Sequence, residues 1–166
     1  MSEKDKIIEQ KIKRAGIFDF KETYQFVYRW LNEEDYTVEE RKYIEEVTGD
    51  AKKVEIQWIA TKKVSDYFKN EMKLNWRIIG LTNVEVEQDG KKIKTNKGNF
   101  ELKITGNLVK DWGSTWEKSP AMKFLRGTYD KYIVEGRIKQ YEIELYRDVD
   151  DITEQVKAFL TVEGMK

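Results

Sequence analysis

Carboxylates are the groups best suited to chemistry in this sequence, because its 166 residues include no histidine and no cysteine. That absence excludes Ser-His-Asp and Cys-His nucleophile systems and zinc sites built from nitrogen and sulfur ligands. It also excludes iron–sulfur clusters held by Cys and haem held by His or Cys. Any catalysis would have to use carboxylates, lysine, tyrosine or a metal bound through oxygen.

Three aspartates near the C-terminus offer oxygen ligands to a hard cation: Asp148, Asp150 and Asp151. No Gly or Glu follows them at the offsets of a calcium-binding loop. Aspartates that precede an apolar-periodic segment are typical of a helix N-terminus, where they cap backbone N–H groups and complement the helix dipole. We therefore assign these three residues to capping and predict no metal site.

A second acidic pair, Glu85 and Glu87, lies on one face of a predicted strand. Alternating acids can hold a metal in enzymes that cut triphosphates, but such a site needs further acids and an arginine array inside a barrel. Here the predicted hairpin places Lys94 opposite Glu85 and Lys92 opposite Glu87. We expect a paired surface with no catalytic residue, no metal and no cofactor, and therefore not an enzyme.

Five lysines form a basic cluster that would suit a phosphate group: Lys91, Lys92, Lys94, Lys97 and Lys103. The whole chain balances 31 basic with 31 acidic residues, whereas nucleic-acid-binding domains normally carry a strong basic excess. Because Lys92 and Lys94 have acidic neighbours in the predicted pairing, we interpret the cluster as a solvated face and do not expect nucleic-acid binding.

Aromatic residues are abundant, with five Trp, nine Tyr and seven Phe. Five of them form the candidate pocket or partner surface: Trp58, Trp76, Trp112, Trp116 and Tyr129. Trp58 and Trp76 alternate with aliphatic residues along predicted strands, which favours a place in the core. Trp112 and Trp116 flank the polar segment GSTWEK. They either anchor this loop to the core or rim a ligand pocket or partner surface.

The elements that position these residues begin with two helical signals. Residues 1–16 are polar, with Ile8 and Ile12 at helical spacing, and predict a polar arm or short helix. Asp19, with Glu22 three residues later, predicts the start of a helix with a broad aromatic face. Residues 17–166 then form a single α+β domain.

A meander of four to five antiparallel strands is predicted between Tyr36 and about Trp112, where the apolar residues alternate. The first strand, YTVEERKYIEEV, is charged and suits an edge. The segment from 61 to 71 either extends a strand or forms a connection.

Two turns set the predicted register of the later strands. Asp89-Gly90 is a two-residue hairpin signal, which places Val86 opposite Ile93. The segment 96–99, Asn-Lys-Gly-Asn, predicts a second turn that would add Glu101 to a charge ladder across three strands. This register places six apolar residues on one face: Val84, Val86, Ile93, Phe100, Leu102 and Ile104.

The C-terminal part of the sequence predicts two helices that cover one face of the sheet together with the N-terminal helix. Ser119-Pro120 starts a long helix, whose apolar stripe reaches Leu145. A short last helix begins at Asp148 or Asp150.

This element order resembles helix-grip folds, in which a long helix crosses a curved sheet and holds an apolar ligand. The likeness is an analogy of element order alone. It implies a non-enzymatic domain that binds an apolar small molecule between the sheet and the long helix. The alternative is a structural or assembly protein that acts through protein–protein contacts or homo-oligomerisation.

The sequence shows no signal for a membrane. No apolar run reaches the roughly 18 residues that a membrane-spanning helix needs, and the N-terminus lacks the apolar core of a signal peptide. We therefore expect a cytoplasmic protein with no membrane partner.

Overall fold

The computed structural model describes residues 3–110, 121, 124–125 and 135–164. The elements, in chain order, are β1 (Glu3–Phe18), α1 (Phe20–Glu33), β2 (Thr37–Thr48), β3 (Ala51–Lys63), β4 (Phe68–Gln88), β5 (Lys91–Lys110) and α2 (Glu135–Gly164). The strands form one antiparallel sheet in the order β1-β5-β4-β3-β2. The predicted α+β class with an antiparallel sheet is confirmed, and the charged strand β2 lies at an edge as predicted.

The prediction of a polar arm or short helix at the N-terminus is wrong, because residues 3–18 form strand β1. This strand pairs antiparallel with β5 along its length. Ile8 and Ile12 are both buried. A spacing of four residues places two side chains on one face of a helix and also on one face of a strand. The spacing that suggested a helix therefore did not distinguish the two structures.

Helix α1 begins where the sequence predicts. The Asp19 side chain accepts a hydrogen bond from the backbone N–H of Glu22 at 2.9 Å, which satisfies one free donor of the first turn. Thr23, Val27 and Leu31 are the buried residues of this helix. Their spacing of four places them on one face, which holds α1 against the rest of the core.

The β4–β5 hairpin confirms the first predicted turn. Asp89 and Gly90 both have positive φ, 53° and 77°, as a two-residue turn between twisted strands requires. Val86 pairs with Ile93, Glu85 with Lys94 and Glu87 with Lys92.

The second predicted turn is wrong, because residues 96–99 lie inside the continuous strand β5. They pair with β1 on one side and with β4 on the other. A methyl group on Gly98 would lie 3.2 Å from the carbonyl oxygens of Ile79 and Gly80. Gly98 therefore marks a close approach of two backbones. Glu101 lies on the same strand as Lys94, so the predicted three-strand ladder does not form.

Residues 61–71, which the sequence leaves unassigned, contain a short connection. Strand β3 runs to Lys63, and β4 starts at Phe68. The Ser65 hydroxyl accepts hydrogen bonds from the backbone N–H groups of Tyr67 and Phe68, at 3.1 and 2.8 Å. Strand β4 then continues to Gln88, with a register shift between Ile79 and Thr82.

Helix α2 runs without a break through Asp148 and Asp150, so the predicted boundary between a long and a last helix is wrong. The two carboxylates make tertiary contacts: Asp148 accepts from the Tyr36 hydroxyl, and Asp150 accepts from Gln10. An aspartate can cap a helix or accept a tertiary hydrogen bond, and the sequence alone does not distinguish these two roles. The part of the predicted long helix from 126 to 134 lies outside the described residues.

The core lies between the inner face of the sheet and α2, which packs on β1, β5 and α1. Gly106 of β5 permits the closest approach, because a methyl group there would lie 2.9 Å from Val149 and 3.3 Å from Leu145. The buried strand residues of this core are Val54, Ile56, Trp58, Ala60, Met72, Leu74, Trp76, Ile78, Phe100, Leu102 and Ile104.

Candidate functional site

The sequence-predicted tryptophans of the sheet lie inside the core. Trp58 and Trp76 are 1% and 2% exposed, and their ring centroids are 5.1 Å apart in an edge-to-face arrangement. Tyr24 of α1 packs against Trp58 at 4.8 Å, and Phe100 packs against Trp76 at 5.8 Å. These rings fill the space between α1 and the sheet.

The other three residues of the predicted surface are Trp112, Trp116 and Tyr129, and they lie outside the described residues.

A polar cluster interrupts the apolar core at the other end of the inner face, where β3 ends and β4 starts. It consists of Tyr36, Lys62, Asn70 and Asp148. Tyr36 comes directly before β2, Lys62 lies near the end of β3, Asn70 near the start of β4, and Asp148 in the middle of α2. Asn70 pairs across the sheet with Lys62. We call these four residues the inner polar cluster.

Tyr36 and Asp148 form the strongest bond of the inner polar cluster. The Tyr36 hydroxyl donates to Asp148 Oδ2 at 2.7 Å, and the Tyr36 side chain is 2% exposed. Burial, and then the negative charge of Asp148, raise the pKa of Tyr36 far above its ordinary value. Tyr36 therefore stays protonated and acts as a hydrogen-bond donor.

Lys62 connects the inner polar cluster with solvent. Its ammonium lies 3.7 Å from Asp148 Oδ2 and 5.1 Å from the centroid of the Tyr36 ring. It also donates to the backbone carbonyl of Glu34 at 3.3 Å. The side chains of Lys62 and Asp148 are 27% and 21% exposed. Because both are partly exposed, their attraction is screened by water.

Asn70 is the deepest member of the inner polar cluster, at 1% exposure. Its Oδ1 accepts no hydrogen bond in the part of the chain that the structure describes. A buried acceptor without a partner costs about 1–3 kcal/mol. Within the described residues, Asn70 Oδ1 is therefore an unused acceptor of the core, as Trp76 Nε1 is an unused donor.

Apolar and aromatic side chains surround the inner polar cluster. Phe68 lies two residues before Asn70 on the same face of β4, and its ring centroid is 5.1 Å from that of Tyr141 on α2. Tyr67 packs edge-to-face on Phe68 at 4.9 Å. Met72 and Leu108 are fully buried. Aromatic and aliphatic walls around a few convergent polar groups are typical of small-molecule sites.

Sequence reasoning missed every member of the inner polar cluster as a site residue. The detectable signal is Asn70, which interrupts the alternation of Phe68 and Met72 on the inward face of β4. Because the sequence does not assign the segment from 61 to 71, that alternation does not extend to position 70. Tyr36 and Asp148 lie far from Asn70 in the chain, and the fold alone brings them to it, whereas Lys62 is the cross-strand partner of Asn70 in the β3–β4 hairpin.

Several charged groups of the outer face are paired with one another. Glu71 is 6% exposed, accepts from Lys4 at 3.0 Å and from Asn107 at 3.3 Å, and is therefore satisfied. Lys103 of the predicted basic cluster forms an ion pair with Glu9 at 3.2 Å. Hydrogen bonds from Lys6 and then Lys103 lower the pKa of Glu9.

A cleft of about 510 Å³ opens on the surface between the start of α1 and the β4–β5 hairpin. Its charged lining residues are Asp19, Lys21, Glu85 and Lys94. Since both signs of charge are present in equal number, this cleft favours no single class of ligand.

No protein-family model, curated protein or solved structure matches this chain. Among the described residues, no helix is long and apolar enough to span a membrane. Over the same residues, no group of three or more Asp and Glu side chains is placed to hold a metal ion.

Proposed function

We propose that this protein binds an apolar small molecule that carries one hydrogen-bond-donating group, between the sheet and α2. The unpartnered Oδ1 of Asn70 carries this proposal. The donor group of the ligand binds Asn70, and its apolar body lies against Phe68 and Tyr141. The protein acts as a carrier or sensor of such a molecule and needs no catalytic residue.

The topology supports the proposal by analogy with helix-grip folds. Strand β1 lies beside β5, α1 connects β1 to the opposite edge of the sheet, and α2 crosses β1 and β5. In a helix-grip arrangement the ligand lies between the long helix and the sheet. Because one fold can host many functions, the proposed ligand binding depends on the inner polar cluster and not on the fold alone.

The exposure of the cluster supplies a direction for ligand entry. Lys62 and Asp148 are partly exposed, whereas Asn70 is buried. A ligand that enters beside Lys62 first passes the charged side chains of Lys62 and Asp148 and then reaches the uncharged acceptor Asn70 Oδ1. Because Asp148 and Asn70 Oδ1 are both acceptor groups, a ligand hydroxyl or amine fits better than a carboxylate.

The free energy available from Asn70 sets the expected selectivity. Pairing a buried acceptor recovers about 1–3 kcal/mol. That free energy corresponds to roughly a 5- to 150-fold gain in affinity over an equally apolar ligand without a donor.

The test compares 1-dodecanol with dodecyl methyl ether, which has a similar body but no hydroxyl hydrogen. Calorimetric titration and thermal shift of the wild-type protein should show tighter binding of the alcohol. Asn70→Leu, which removes the acceptor, should bind both probes equally. Asn75→Leu makes the same change on the opposite face of β4 and should keep the preference. Absence of binding by either probe, or an unchanged preference in Asn70→Leu, would refute the proposal.

A further inference from the structure

Strand β2 is an open edge of the sheet. In the described ranges it pairs with β3 alone, over Thr37–Thr48. Residues 39–50 are exposed, so this part of the strand is accessible from solvent. An edge strand presents a row of free backbone N–H and C=O groups that can pair with another strand.

Exposed apolar side chains lie on both faces of this edge. Tyr43 is 42% exposed, Ile44 41% and Val47 65%. Tyr43 pairs across the sheet with the buried Ile56, so its side chain lies on the inner face. Ile44 therefore lies on the outer face, because successive side chains of a strand alternate.

The second half of β2 is complementary to itself. When two copies of an edge strand pair antiparallel about a twofold axis, the inner faces of both sheets lie on the same side. Paired residues therefore differ in residue number by an even number, or are the same residue. In the register centred on Ile44, Ile44 meets Ile44 of the second copy. Lys42 then meets Glu46, and Tyr43 meets Glu45, each twice by symmetry.

Other symmetric registers are less favourable. A pairing centred on Glu45 places two carboxylates opposite each other, and like charges in that position destabilise the pair. A pairing centred on Tyr43 places the charged Lys42 opposite Ile44. The register centred on Ile44 is the one that matches apolar with apolar and basic with acidic side chains.

The groups that this register needs are accessible. Glu46 makes no ion pair to any described residue, and Lys42 bonds Glu55 of its own chain at 3.2 Å. The Lys42 ammonium has three N–H donors, so it can bond Glu55 and a second carboxylate together. A bulge between Glu40 and Lys42 limits the regular stretch to Lys42–Thr48.

We propose that β2 binds β2 of a second copy of this chain, antiparallel and centred on Ile44. The two five-stranded sheets then continue as one, and the helical layers of both copies lie on the same side. The proposal is independent of the small-molecule site, because the inner polar cluster contains no residue of Lys42–Thr48.

Two charge variants test the register. Lys42→Glu places carboxylates opposite carboxylates, and Glu46→Lys places ammonium groups opposite ammonium groups. Each variant alone should be monomeric, with at least a tenfold weaker self-association than the wild type. An equimolar mixture of the two should dimerise, because both cross-copy pairs of positions 42 and 46 then join opposite charges.

Sedimentation equilibrium measures these masses against the 19.8 kDa of one chain, and circular dichroism confirms that each variant is folded. Ile44→Lys should abolish the dimer. Ile143→Lys makes the same change at an exposed residue of α2, 51% exposed, and should leave the dimer intact. A monomeric wild type, or dimerisation of either charge variant alone, would overturn the proposal. Loss of the dimer in Ile143→Lys and not in Ile44→Lys would also overturn it.

Discussion

Replacing Tyr36 by Phe removes one hydroxyl and keeps the ring, so it removes the bond that Tyr36 donates to Asp148 together with the contact of that hydroxyl with Asn70. That bond is 2.7 Å long and involves an ionised acceptor. Hydrogen bonds to charged groups contribute about 1.5–3 kcal/mol. Asp148 keeps partial exposure and its contact with Lys62 at 3.7 Å, so it is partly rehydrated when the hydroxyl is lost. We therefore expect a loss near the lower limit, about 1.5–2 kcal/mol.

The expected loss is measurable by urea unfolding and by thermal unfolding at pH 7. For a chain of this size, each kcal/mol moves the midpoint by roughly 2–4 °C, so the midpoint of Tyr36→Phe should fall by about 3–8 °C. The reasoning is refuted if the variant is as stable as the wild type.

A pH series separates the hydroxyl from any general packing defect. Burial raises the pKa of Tyr36, so above about pH 10 the unfolded chain releases this proton while the folded chain keeps it. The contribution of the protonated Tyr36 hydroxyl to the free energy of unfolding is therefore complete below pH 10. It falls by about 1.4 kcal/mol per pH unit above that point. The stability difference between wild type and Tyr36→Phe should shrink above pH 10. Tyr24 and Tyr43, whose pKa values are raised to about 12, are present in both proteins and cancel. A difference that stays constant through pH 11 would contradict this account.

Five further substitutions test the packing and the β4–β5 turn. Gly106→Ala should destabilise the protein by about 1–3 kcal/mol through overpacking against α2, whereas Gly136→Ala, which has open space around it, should stabilise α2 by about 0.5–1 kcal/mol. Urea unfolding of both variants measures this contrast, and equal effects would be inconsistent with the packing. Trp58→Ala should cost about 3–5 kcal/mol, and removing the neighbouring Tyr28 ring, which is 46% exposed, should cost less than half of that. Gly90→Ala forces a Cβ into positive φ and should cost about 1–2 kcal/mol; a neutral result would contradict the turn assignment.

Local signals with a steric cause were predictable from the sequence. Asp19 identified the start of α1, and Asp89-Gly90 identified the β4–β5 turn with its register. Each depends on residues within a few positions of one another. Residues 96–99 show where that approach fails, since the same turn-forming residue types occur inside β5. Only the neighbouring backbone of β4 explains the need for Gly98.

The N-terminal strand and the candidate site required tertiary information. The spacing of Ile8 and Ile12 fits both a helix and a strand, and the segment forms a strand because it pairs with β5. The inner polar cluster joins Tyr36 with Asp148, which are 112 positions apart. No local pattern connects two such residues, so the cluster emerges only when α2 lies across the sheet.

The measurement that tests the proposed site most directly is a ¹H–¹⁵N NMR titration of the protein with 1-dodecanol. The side-chain amide signals of Asn70 should shift, together with the backbone signals of its neighbours Phe68 and Leu108, while those of the exposed β2 edge stay in place. The opposite result, shifts confined to exposed residues with Asn70 unchanged, would contradict a ligand site between the sheet and α2.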